Sequence, residues 1–410
     1  MSSVDRSKKR YLVIGINCLP ELTGIGRYTG EMVNWFEDQN AHCTVVTTFP
    51  YYPYWKVQKP YRGKFYRKEK LKEGDLTLYR CPFYVPAHPT GLKRVIHEAS
   101  FFLSAFFVII NLLFLPKHDE IICIAPPFHL GFLALLYRFF KGGKLTYHIQ
   151  DLQIEAARDL EVLKPLWIFD IFFAMERFIL NRADQVSTIS EGMQKKVAAK
   201  TRNPVVLFPN WSDTRAFYPL PDRDQLKLLW NYQQEDKVVL YSGSIGEKQG
   251  LEVLLEIARE LKGLEHIKLL ICGTGPYKEK LKQRVAGMDL KNVLFLPLQE
   301  NEVFNKFLNM ADVHLVLQKA DASDLVMPSK LTNILSAGAL ALVTANPGTT
   351  LHEVVTEHQM GVVIPPEDKE ALKQAIVACC SGDYSQERRN ARKYAEEFLD
   401  QDTILHRMFG

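Results

Sequence analysis

The sequence predicts an α/β protein built from two doubly wound, Rossmann-like parallel-sheet domains in tandem. Short apolar runs alternate with helical stretches along the chain, as strands buried on both faces of a parallel sheet do. A proline-rich, polar break near residues 205–225 interrupts the alternation, which then restarts. The length of 410 residues suits two cores of roughly 200 residues each. An apolar fraction of 47% and a charged fraction of 24% belong to a folded soluble chain.

In the first half, "YLVIGIN" reads as a strand and "RYTGEMVNWFEDQ" as a helix with Met32, Trp35 and Phe36 facing inward. "CTVVTTF", "EIICIA", "KLTYHIQ" and "QVSTIS" read as further buried strands. After the break come "KVVLYSG", "IKLLICG", "NVLFLP", "VHLVL", "ALALVTA" and "GVVIPP", again separated by helical patterns. The expected division is a first domain over residues 1–212, a second over 213–400 and a tail over 401–410. Open α/β sheets bind ligands at the carboxyl ends of their strands, so two such domains are expected to face a cleft.

The net charge of +4 hides an asymmetry. Residues 1–213 carry 28 Lys/Arg against 20 Asp/Glu, and the remainder carries 23 against 27. Much of the excess lies in "KVQKPYRGKFYRKEKLK", either a strand edge guarded by lysines or a face for anionic lipid. The excess is confined to one half and no nucleic-acid motif accompanies it, so nucleic acid is not an expected partner. "SFFLSAFFVIINLLFLP" is too short to span a bilayer. It suits a buried core helix or a helix lying on a membrane, and the basic lead-in "TGLKRVIHEA" gives an apolar element over about 91–116. Seven cysteines with no CxxC spacing argue against a zinc site or disulfide framework, and point to a reducing cytoplasm. The first residues contain too short an apolar run for a signal peptide.

Three glycine turns follow predicted strands: "ELTGIGRYTGEM" with Gly24 and Gly26, "YSGSIGEKQG" with Ser244 and Lys248, and "LLICGTGPYKEKL" with Gly273 and Gly275. Backbone N–H groups at such turns attract anions. None fits GxxxxGK[ST] or GxGxxG, which excludes a P-loop NTPase and the dinucleotide fingerprint. In "MPSKLTNILSAG" a helix begins at Ser329 and Lys330, with Asn333 one turn on. A lysine in a first helical turn opposes the helix dipole unless an anion is present, the kind of local conflict expected at a site. In "YHIQDLQIEAARDL", His148 and Asp151 stand at a strand end, where catalytic residues sit, although a lone histidine there is more often structural. "YYPYW" suits either a sugar-stacking surface or an aromatic core corner.

The order of these stretches resembles the family-4 retaining glycosyltransferases of GT-B fold, near the colanic-acid and O-antigen type. The likeness runs through "LTGIGRYTGEM", "HIQDLQIEA", "STISEGM", "FPNWSD", "YSGSIGEKQGLE", "CGTGP", "MPSKLTNILSAG" and "GVVIPPED". It implies a metal-independent enzyme that takes a sugar from a nucleotide diphosphate sugar, GDP-fucose or a UDP-sugar. It implies a polyprenyl-diphosphate-linked saccharide acceptor and a place at the cytoplasmic face of the inner membrane. By resemblance, Gly24 and Gly26 line the acceptor side, and Ser244, Lys248, Ser329 and Lys330 hold the diphosphate. Gly273 and Gly275 approach the nucleotide, Asn333 meets the ribose, and Asp151 with His148 lies near the reacting centre. The sequence departs from the family where an arginine is usual at Ser244 and a lysine at Gln249. The family's paired glutamates fall on Leu325 and Asn333. Two rival readings keep the fold: a nucleotide-sugar epimerase, and a non-catalytic sugar- or nucleotide-binding module.

Overall fold

A computed structural model describes residues 8–71, 75–87, 89, 91–159, 167–246, 249–275, 277–320 and 328–410. The chain divides into two compact units, Met1–Phe208 and Pro209–Gly410.

Unit 1 holds strands β1 (Arg10–Ile14), β2 (His42–Thr48), β3 (Arg67–Leu71), β4 (Leu76–Cys81), β5 (Glu120–Ala125), β6 (Lys144–Ile149), β7 (Gln185–Thr188) and β8 (Val205–Leu207). They lie in the order β3-β4-β2-β1-β5-β6-β7-β8, all parallel except β3. The helix Gly24–Asp38 joins β1 to β2 in one direction, and the helix Gly91–Leu112 joins β4 to β5 in the other. Right-handed crossovers in opposite directions place their helices on opposite faces. The order therefore reverses between β1 and β5, which opens a crevice at their carboxyl ends.

The basic stretch of the sequence becomes the edge of this sheet. β3 pairs antiparallel with β4, and Arg67, Lys68 and Lys70 stand exposed along it, which discourages pairing with another chain. Tyr51 of "YYPYW" is a core corner: it is buried, and its ring packs edge-on against Phe83, Trp55 and His97.

Unit 2 holds β9 (Lys237–Ser244), β10 (Ile267–Thr274), β11 (Val293–Leu296), β12 (Val313–Val316), β13 (Ala341–Thr344) and β14 (Gly361–Ile364). The order β11-β10-β9-β12-β13-β14 is fully parallel and reverses between β9 and β12. Period-2 alternation sorts the strand residues between two cores. Val239 and Tyr241 face Leu254, Leu281 and Ile376, whereas Val238 and Leu240 face Phe307 and Met310.

Two boundaries differ from those read in the sequence. Residues 209–212 belong to unit 2, because Ser212 bridges to Asp400 and its hydroxyl donates to Asn333 Oδ1 at 2.9 Å. The segment 401–410 is no tail. It forms the helix Gln401–Phe409, capped by Asp400, with Ile404, Leu405 and Phe409 buried.

Candidate functional site

The crevice between β9 and β12 gathers cations. Lys330 begins the helix Lys330–Ser336, and its Nζ lies 3.6 Å from the centroid of the Tyr241 ring. That nitrogen is buried and has no hydrogen-bond partner among the described residues. Burial pushes its pKa down to about 7. Gly243 makes the room: a Cβ there would stand 3.2 Å from both Cε and Nζ of the lysine. Tyr241 also fixes the turn after β9, since its hydroxyl donates to Ser244 O at 2.7 Å. An ammonium on an aromatic face, stripped of water and with no hydrogen-bond acceptor among the described residues, suits an anionic ligand.

A second cation escaped the sequence reading. Lys319 follows β12, and its Cε would lie 3.8 Å from a Cβ on Gly250, at the far end of the same turn. The available signal was its place just after the strand across the crevice from β9. Lys248 lies outside the described residues, as does Leu325. Between the glycines, the Gln249 side chain folds back to accept from Gly246 N at 3.1 Å. A lysine at 249 would have no acceptor to offer there, so this turn is closed by the residue that departs from the family pattern.

Several expected donor contacts are occupied by the fold itself. Gly273 and Gly275 permit the β9–β10 pairing to run into the turns. A Cβ on Gly273 would stand 1.9 Å from Gly243 O, and one on Gly275 would stand 2.1 Å from Ile245 O. Asn333 is 4% exposed and receives Ser212, so it is built into the unit's core rather than turned toward a ribose. Ser329 precedes its helix without a side-chain capping bond, and Ser244 is exposed at the end of β9.

Unit 1 places Gly24 and Gly26 after β1, beside its own crevice. Gly24 adopts φ +59°, and a Cβ on Gly26 would stand 2.6 Å from Glu21 Oε2. Glu21, unnoticed in the sequence, is 3% exposed. It accepts from Tyr51 N and Tyr52 N at 2.9 Å each and from Asn17 Nδ2 at 2.8 Å. Burial pushes its pKa up to about 7 against these bonds. It ties the glycine turn to the loop after β2.

The expected pair at the end of β6 is not assembled. His148 is 2% exposed; its Nδ1 meets Ser187 Oγ at 3.0 Å, its Nε2 meets the Gln150 amide at 2.9 Å, and its ring packs on Phe208. Burial pushes its pKa down to about 3, so it is a neutral core residue rather than an acid or base. Asp151, one residue past the buried Gln150, is half-buried at the strand end. The turn it begins is pinned by Gln153, which donates to Glu98 at 2.7 and 2.8 Å and accepts from Phe128 N at 3.2 Å. Among the described residues no three His, Cys, Asp or Glu side chains cluster as metal ligands would. All seven cysteines are free and buried.

Known proteins match both units. Residues 23–211 match the glycosyl transferase 4-like domain, and residues 222–398 match glycosyl transferases group 1. A protein of Escherichia coli (strain K12) named as the colanic acid biosynthesis glycosyl transferase WcaI is 38% identical over 413 residues, covering 98% of this chain and 99% of its own. Among solved structures, the sucrose-phosphate synthase of Thermosynechococcus elongatus covers 98% of this chain and 97% of its own, with a TM-score of 0.75 at 15% identity. Anabaena Alr3699/HepE, solved with UDP and glucose, covers 98% of each chain with a TM-score of 0.70 at 14% identity. The chain belongs to the GT-B glycosyltransferases that join a glycosyl transferase 4-like domain to a group 1 domain.

Proposed function

We propose that the protein is a retaining glycosyltransferase acting in exopolysaccharide or O-antigen assembly. It would move a sugar from a nucleotide diphosphate sugar to a lipid-linked saccharide. The observation that carries the donor reading is Lys330, a buried amine with no hydrogen-bond partner among the described residues, held over Tyr241 where the unit 2 sheet reverses. Support for the pathway comes from the relationship to WcaI, whose name assigns it to colanic acid biosynthesis.

In this reading the bond from the sugar's anomeric carbon to the β-phosphate oxygen breaks, and charge grows on that phosphate. Lys330 and Lys319 stabilise the charge by position alone, with no reorganisation at the moment of reaction. The acceptor hydroxyl attacks from the same face, and its proton passes to the departing phosphate oxygen, so configuration is retained without a covalent intermediate. Cations doing this work leave no step that calls for a metal. Gly24 and Gly26 belong to the acceptor side, and Asp151 lies near the reacting centre.

A cytoplasmic enzyme that reaches a lipid-linked acceptor needs a membrane-facing surface. The helix Gly91–Leu112 suits that task. The helix begins earlier than the apolar run read from the sequence, so its 22 residues are long and apolar enough to cross a bilayer by length and composition, yet His97, Phe101, Ala105, Ile109 and Leu112 pack inward while Leu92, Leu103 and Phe107 are 63–66% exposed. A helix buried on one side and greasy on the other lies on a membrane rather than through it.

The test is incubation of the protein with labelled nucleotide sugars and a lipid-linked saccharide, with the product's anomeric configuration read by NMR. Transfer with retained configuration supports the reading. Inverted product removes the retaining mechanism. A free epimerised nucleotide sugar would favour the epimerase, and turnover of no donor would favour a binding module.

A further inference from the structure

Lys278 opens the helix Lys278–Gly287, again a lysine against the positive end of a helix. Its side chain runs back across the carboxyl edge of the sheet. Nζ donates to Gly273 O at the end of β10, at 2.7 Å, and to Leu296 O at the end of β11, at 3.0 Å. Desolvation lowers its pKa, and no carboxylate lies within ion-pair distance of it among the described residues. Two carbonyls use two of the three ammonium protons. The third has no acceptor among the described residues.

The position of that third proton suggests what it meets. Open parallel sheets bind ligands outside the carboxyl ends of their strands where the order reverses, here between β9 and β12, and a nucleoside extending from a diphosphate held there toward β10 would approach Lys278. The gap between β10 and β11 lies two strand spacings, about 10 Å, from the gap between β9 and β12. That is roughly the reach from a diphosphate across a ribose to the far edge of a base. An ammonium is a pure donor, so it pairs with a keto oxygen and is mismatched to an exocyclic amine. Guanine O6 and thymine O4 are acceptors, and uracil shares the O4; the adenine N6 and cytosine N4 amines are donors.

We propose that Lys278 reads the nucleobase and selects donors with a keto base, UDP-, GDP- or TDP-sugars, over those with an amino base. This rests on the nucleotide-sugar reading and adds a residue that sets its specificity. A site built to donate to one oxygen disfavours the analogue that presents a donor there instead, because two donors face each other.

The test is calorimetric titration of UDP, GDP, TDP, ADP and CDP into the whole protein, repeated with Lys278→Met and Lys278→Arg. Wild type is expected to bind one of the keto diphosphates at least tenfold more tightly than ADP and CDP. Lys278→Met should shrink that ratio to within about threefold, and Lys278→Arg should restore most of it. A wild type that prefers ADP or CDP overturns the proposal, as does a Lys278→Met protein that keeps the full ratio. Thermal melting without ligand identifies a variant that fails to fold, and the Lys278→Arg ratio then decides alone. Failure of all five nucleotides to bind would sink the donor site itself, a result distinct from binding without base preference.

Discussion

Lys330 Nζ and the Tyr241 ring are 3.6 Å apart, and no hydrogen-bond acceptor completes the pair among the described residues. The amine's pKa near 7 gives this contact a pH signature. In the free protein Lys330 is largely neutral above pH 7; a bound diphosphate favours the ammonium and raises its pKa. Between pH 7 and the bound-state pKa, nucleotide binding should take up a proton, and affinity should fall as pH rises, by at most tenfold per pH unit. Titration of UDP or GDP at pH 8 in two buffers of different ionisation heat measures that uptake. Binding heats that do not depend on the buffer would refute the assignment.

The same lysine sets function against stability. Its folded pKa lies below the usual lysine value, so the unfolded chain binds more protons between about pH 7 and 10.5. Stability from this group therefore rises with pH through that window and is weakest below it. Lys330→Met keeps the packing on Tyr241 and removes the desolvated amine. It should raise the melting temperature of the ligand-free protein at pH 6. It should also abolish the stabilisation that a nucleotide supplies to wild type, about 2.7 kcal/mol at a hundred times its dissociation constant. A lower melting temperature would show that the amine is favourably paired instead.

Gly273 and Gly275 separate fold from chemistry. The close approach of Gly243 O and Ile245 O leaves no space for a methyl group, and the φ values of +152° and +158° strain any side chain. Alanine at either position should cost about 1–3 kcal/mol from conformation alone, with the clash adding to it. Urea denaturation would register the loss. Full stability in both variants would mean that these glycines serve the nucleotide rather than the strand pairing.

The sequence made the architecture legible because buried parallel strands are compact apolar words, and eleven of the fourteen strands among the described residues stood out in this way. β4 and β8 were missed, being short or polar by composition, and β3, "RKEKL", showed only as one of two readings of the basic stretch, a strand edge guarded by lysines. Lys330 was legible because a cation at a helix start is a local contradiction. Lys319 and Glu21 were not, since neither breaks a local rule; only the fold brings one to Gly250 and the other under Gly26. His148 and Asn333 misled for the complementary reason. A polar residue at a strand end or on a helix looks the same in sequence whether it faces a ligand or, as here, Ser187 and Ser212.

Glu21 offers a prediction in the acid range. Its carboxyl titrates near pH 7 in the folded protein, above the usual carboxylate range, because it is buried. The folded state then holds a proton that the unfolded chain releases between about pH 4.5 and 7, so this group's contribution to stability declines as pH rises through that window. Glu21→Gln should flatten the decline. Glu21→Ala should cost more, about 2–4 kcal/mol, because Tyr51 N and Tyr52 N lose a buried acceptor. Denaturation midpoints at pH 5 and pH 8 decide the matter. Equal pH dependence in wild type and Glu21→Gln would show that the carboxyl is charged throughout.

The apolar outer face of unit 1 extends beyond the helix Gly91–Leu112. That helix packs against Leu130–Lys141, which in turn packs against Trp167–Leu180. Phe139 and Phe140 stand 82% and 61% exposed on the second helix, and Trp167 and Ile171 stand 59% and 47% exposed on the third. Solvated helices of a soluble unit bury such residues or replace them with charge. Lys93, Arg94 and Lys141 lie on the same helices and would meet anionic headgroups. Leu103→Glu with Phe107→Glu alters only side chains that point away from the core, so the fold should melt within about 1 kcal/mol of wild type. Sedimentation with vesicles containing anionic lipid should fall at least tenfold, and turnover of a vesicle-borne acceptor should fall with it. Binding of nucleotide, measured in solution, should not change. Undiminished sedimentation would remove this helix from the membrane-facing surface, and equal binding to neutral and anionic vesicles would remove the basic residues from it.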